Sequence, residues 1–86
     1  MFVYNINNKK KKVVLRIDRL LIRSIEENMP LEMIYLADNH EITQRKLIVK
    51  EVNNEYIRAY CLMRKQIRTF KRENILSIMP TIRYLH

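Results

Sequence analysis

The spacing of apolar residues changes partway along the chain. Between residues 13 and 28, Val14, Ile17, Leu21 and Ile25 recur at helical spacing, and Leu20 and Ile22 widen the stripe. Arg16, Arg19, Arg23, Glu26 and Glu27 fall largely off it. Asp18 reads as a cap for a shorter helix starting near Arg19. Pro30 ends the helix, because it disfavours helical geometry at Met29. A short helix with one apolar stripe does not stand alone, so it needs a surface to lie on.

From Leu31 onward the pattern alternates instead. LEMIYLA (31–37), ITQRKLIVKEV (42–52), EYIRAYCLM (55–63) and IRTFK (67–71) read as strands. DNHE (38–41) is turn chemistry, and Asn53-Asn54 reads as a tight hairpin turn. RENILSI (72–78) reads as holding one helical turn, and TIRYL after Pro80 reads as a closing strand. The expected fold is mainly β with one helix, in the α+β class. It is a small five-stranded bent sheet or barrel with an N-terminal amphipathic helix packed on it. Residues 1–12 read as a flexible basic leader, in which FVYNI is a candidate edge strand and NNKKKK stays solvated. Residues 13–86 form a single domain.

Charge sharpens this picture. The 86 residues carry 17 Lys plus Arg against 9 Asp plus Glu, a net charge of +8. That balance suits an anionic partner: nucleic acid, a nucleotide or an acidic protein face. The chain has no glycine, which excludes a phosphate-cradling P-loop or a dinucleotide fingerprint. Cys61 is the only cysteine, so no intrachain disulfide forms, and Cys61, His40 and His86 lack metal-ligand spacing. No secretory signal or membrane-spanning run is visible, so a cytoplasmic protein without a membrane partner is expected. Glu41, Glu51, Glu55 and Glu73 are scattered, and no nucleophile–base set accompanies them. The expectation is therefore a non-enzyme without cofactor or metal.

The chemistry concentrates in residues 55–72. In the third strand Ile57, Ala59 and Cys61, with Met63, share a small apolar face, and Cys61 reads as a buried packing residue. Tyr56, Arg58, Tyr60, Leu62 and Arg64 share the other, where aromatic and basic residues interleave. Such a face stacks on bases and neutralises phosphates, or merely covers the core with wet hydroxyls. A connection at 64–66 places Arg68 and Phe70 on the Tyr/Arg face, whereas one a residue shorter moves Phe70 beside Cys61. In both registers Arg58, Arg64, Lys65, Arg68, Lys71 and Arg72 crowd one hairpin without an acid before Glu73.

Ala59-Tyr60-Cys61, Arg64, Arg68-Thr69-Phe70, Glu73 and Ile75 resemble the run that marks the WYL domain, an Sm-like or SH3-like β-barrel module of bacterial transcription regulators. Upstream, SIEEN, LEMIY and RKLIVKEVNNEYI are more loosely similar to the family's helix and first two strands. Glu55 stands where the family has its tryptophan, Arg64-Lys65-Gln66 where the hairpin usually carries glycine, and Asn74 where an arginine is common. These domains usually follow a helix-turn-helix domain, for which this chain has no room. The resemblance implies a regulatory, ligand-sensing module that binds single-stranded nucleic acid or a nucleotide-derived anion. Tyr60, Arg64, Arg68 and Phe70 would form the ligand face, with Lys71, Arg58 and Tyr56 as additions. The alternative is a protein–protein interaction module that pairs with itself as a homo-oligomer or docks on a larger regulator through an exposed strand edge.

Overall fold

The structure is a computed structural model that describes residues 11–81, with side chains from residue 17 onward. The FVYNI segment and almost all of TIRYL lie outside the described residues. Helix α1 (Lys11–Glu27) begins two residues inside the expected basic leader. Its stripe is buried as the spacing requires: Leu21 is inaccessible, and Ile17, Leu20 and Ile25 pack against the core. The helix ends where Asn28 turns left-handed at φ 53, a conformation Asn tolerates better than most residues, and Pro30 follows.

Five antiparallel strands follow: β1 (Leu31–Leu36), β2 (Ile42–Val52), β3 (Tyr56–Cys61), β4 (Gln66–Lys71) and β5 (Ile75–Pro80). They form one sheet in the order β4-β3-β2-β1-β5. This is the mainly β, one-helix architecture the pattern predicts, realised as a bent sheet rather than a closed barrel, since among the described residues β4 and β5 remain edges. The last described strand is ILSIMP, within a segment expected to hold one helical turn. The helical turn is confined to the 3-10 turn Arg72–Asn74.

Two bulges bend the sheet. Lys50 is the extra residue of β2 between Val49↔Ala59 and Glu51↔Arg58. Leu76 is the extra residue of β5 between Ile34↔Ser77 and Tyr35↔Ile75. In a flat sheet β1 and β4 would lie three strand spacings, about 14 Å, apart. Here the Tyr35 hydroxyl on β1 accepts the Lys71 backbone N–H of β4 at 2.9 Å. The sheet therefore curls over its inner face, where Leu31, Met33, Leu47, Val49, Ile57, Ala59, Cys61 and Phe70 meet Leu21 of the helix.

The turns manage without glycine. In the β1–β2 turn His40 takes φ 67, and Asn39 Oδ1 accepts the Glu41 N–H at 3.1 Å. The β2–β3 turn centres on Asn54-Glu55, one residue beyond the expected pair, because Asn53 N–H bonds Tyr56 O at 2.9 Å. The Asn53 side chain then accepts the N–H groups of Glu55 and Tyr56 at 2.8 and 2.7 Å.

Two polar contacts fix the helix on the sheet. Continuing the Leu31↔Leu47 register brings Met29 opposite Val49. The buried Ser24 hydroxyl stands between them, accepting the Val49 N–H at 2.8 Å and donating to Met29 O at 2.7 Å. A helix side chain thus extends a strand ladder. The second contact is an ion pair between Asp18 and Arg72. Asp18 was expected to cap a helix, but it lies in mid-helix, 1% exposed, on the stripe with Leu21 and Ile25. Arg72 also donates to Asn53 O at 2.8 Å, so it joins helix, turn and β4–β5 junction.

Removing one partner of such a pair strands the other charge in the core. Arg72→Met should cost about 3–5 kcal/mol in urea denaturation. The double variant Asp18→Leu/Arg72→Met should recover most of that loss, and equal losses in both variants would contradict this role.

Candidate anion-binding site

The β3–β4 register decides which hairpin residues can act together. Ile57 faces Phe70, Ala59 faces Arg68 and Cys61 faces Gln66. The connection is residues 62–65, longer than either alternative the sequence offered. It closes through Lys65 N–H to Cys61 O at 2.7 Å, with Lys65 at φ 55, a left-handed position suited to glycine. Met63, expected beside Cys61 on the core face, instead sits in this loop and is 87% exposed.

This register divides the expected ligand face. Phe70 points inward and is 3% exposed, so it offers no ring to a base in solvent. Tyr35 meets it edge-on at 5.1 Å, and the Arg45 guanidinium lies over the ring, 5.8 Å from its centroid. Arg68 follows Phe70 to the inner face, opposite Ala59, and is half-buried. Tyr56, Arg58 and Tyr60 project from the outer face beside Lys71, Thr69 and Ile67.

The outer group is weakly organised for binding. Tyr60 is half-buried between Ile48 and Ile67. Arg58 is paired with Glu51 at 3.4 Å, both side chains half exposed, a contact worth about 1 kcal/mol at most. Tyr56 and Lys71 border a hollow of about 220 Å³ that also holds Glu55 and Glu73, so its charge is mixed. Arg72, one of the crowded cations, is committed to Asp18.

The inner group is different. Where β3 ends, Thr43, Arg45, Lys46, Cys61, Met63 and Arg64 line a pocket of about 250 Å³ without a carboxylate; Arg45 faces inward and Arg64 stands on the loop, whereas the Lys46 side chain alternates to the outer face. Among the described residues, Arg45, Arg64 and Arg68 have no carboxylate within 4.0 Å. The Arg45 Nε is buried without a hydrogen-bond partner. A buried donor left unpaired costs about 1–3 kcal/mol, which offsets what the contact with the Phe70 ring contributes to the fold. Cys61 forms a wall of the pocket, 2% exposed, as a packing thiol.

Sequence reasoning missed Arg45, although the signal was present. Arg45 alternates in phase with Leu47 and Val49, which puts a charge on the core side of β2. Among the described residues no three His, Cys, Asp or Glu side chains gather to hold a metal, and no helix is long and apolar enough to cross a membrane.

Among solved structures the chain is similar to proteasome accessory factor B/C (PafBC) of Arthrobacter aurescens, with a TM-score of 0.69 and 20% identity. The likeness covers 79% of this chain but only 11% of that protein. At this identity it shows the fold alone. No family model matches the chain, and no curated protein matches it.

The division of the hairpin is testable by stability alone. Phe70→Ala should cost about 3–5 kcal/mol in urea denaturation, as for a truncated core aromatic. Tyr60→Ala should cost clearly less. A near-neutral Phe70→Ala would return that ring to the surface.

Proposed function

We propose that this chain is a regulatory, ligand-sensing module that binds a nucleotide-derived anion or the phosphates of a single-stranded nucleic acid. The observation that carries the reading is the cluster of cations without counter-charge on one side of the sheet: Arg45 and Arg64 in the pocket, with Arg68 on the same inner face. Like charges on one face repel, and a bound polyanion offsets that cost. The structural likeness supports the reading in outline, because PafBC is a WYL-domain-containing regulator. The mechanism is binding without chemistry. Arginines pair with phosphate oxygens on the inner side, and the outer Tyr56 and Tyr60 stand apart from that contact.

A second reading rests on the opposite edge of the sheet. Among the described residues strand β5 is unpaired on one side; it carries no charged side chain and exposes Leu76 and Met79 by 53% and 50%. Such an edge suits pairing with a second copy or docking on a larger regulator.

Fluorescence anisotropy with a labelled single-stranded oligonucleotide separates these readings. The proposed function predicts binding that weakens with salt and is lost in Arg64→Glu/Arg68→Glu, while the thermal transition persists. Undiminished binding in that variant would remove both residues from the site. A dimer in light scattering, together with no binding at low salt, would favour the edge-pairing reading instead.

A further inference from the structure

We infer that the pocket at the end of β3 is a receptor for a terminal phosphate monoester, such as the 5′-phosphate of a nucleotide or oligonucleotide. The inference rests on the anion-binding function proposed above and makes it specific. Three features of the pocket carry it.

The first is a free strand edge. Leu62 N–H donates to Lys46 O at 3.0 Å, and beyond this point the chain turns away into the 62–65 loop. Alternation aims the N–H of Gln44 to the same side, past the end of β3 and into the pocket that Gln44 lines. A main-chain donor thus joins the Arg45 and Arg64 guanidinium groups at one hollow, while the Lys46 side chain alternates to the outer face opposite Glu32.

The second is size. The pocket measures about 250 Å³, below the range of roughly 300–1,000 Å³ that encloses a whole small-molecule ligand. It therefore holds a head group, while the rest of the molecule stays outside. Cys61, 2% exposed, backs the hollow, and Met63, 87% exposed, stands at its rim. A hollow of this size backed by Cys61 and open on one side suits a terminal group.

The third is charge. A phosphate monoester carries about −1.5 to −2 at neutral pH and offers three terminal oxygens. An internucleotide diester carries one charge and two such oxygens. Two guanidinium groups and a backbone N–H match the monoester better. The unpaired Arg45 Nε gives this guanidinium reason to turn toward such a ligand.

The test compares two short oligonucleotides, each labelled at the 3′ end, one with a 5′-phosphate and one with a 5′-hydroxyl. Anisotropy should show about tenfold tighter binding of the phosphorylated strand, the worth of one or two charge-assisted hydrogen bonds. Arg45→Gln and Arg64→Gln should each erase most of that preference. Arg64 is exposed on the hairpin loop, so its variant keeps the fold even if Arg45→Gln does not. Equal binding of the two strands would overturn the terminal-phosphate inference and leave the broader anion reading standing. A preference retained in Arg64→Gln would also overturn it, by placing the phosphate elsewhere. Failure of both strands to bind at low salt would remove the anion reading and this inference with it.

Discussion

The register of the β3–β4 hairpin is the constraint on which the rest of this structure depends. A single-residue slip would exchange the faces of every side chain in β4. As built, Phe70 enters the core, Arg68 follows it inward, and the outer face keeps Tyr56, Arg58 and Tyr60. The same register lets Tyr35 reach across the curled sheet to Phe70 and to the Lys71 N–H. Lys65 makes the loop possible by holding a positive φ without the freedom of glycine. Local turn geometry thereby determines which cations surround the pocket.

The polar contacts divide into those that build the fold and those that the fold leaves open. Ser24 completes a ladder bond between Met29 and Val49, and Arg72 neutralises the buried Asp18. Both join the helix to the curled sheet, at positions where unmet hydrogen bonds would be costly. Arg45 lies on the same inner face, yet its Nε has no partner and no carboxylate approaches it among the described residues. Arg72 is thus saturated by protein partners, whereas Arg45 contacts the Phe70 ring and keeps hydrogen-bonding capacity unused, which is what the proposed anion site draws on.

Much of the architecture was legible in the chain. The helical stripe through Leu21, the alternating strands and the Asn53 turn all formed near their expected places. What stayed hidden has identifiable causes. The bulge at Leu76 turns both Ile75 and Ile78 inward, a spacing of three that imitates a helix and disguised the last described strand. The bulge at Lys50 does the same for Val49 and Val52. Asp18 looked like a cap because its partner, Arg72, lies 54 residues away in sequence. The candidate site was half legible: Arg64 and Arg68 stand in the cationic group, whereas Phe70 supports it from inside and Arg45 was overlooked. Residue types identified the basic aromatic hairpin, but only the register could sort its faces.

The central claim is that an anion enters on the inner, Arg45 side of the hairpin and not on its outer, tyrosine side. The most direct measurement is an NMR titration with a short phosphorylated oligonucleotide, following the Arg45 Nε–Hε resonance, the Met63 methyl group and the Tyr56 and Tyr60 ring signals. The account predicts saturable shifts of Arg45 and Met63 at the lowest ligand concentrations, with the tyrosines responding less or later. Saturable shifts confined to Tyr56 and Tyr60, with Arg45 and Met63 unmoved, would contradict it.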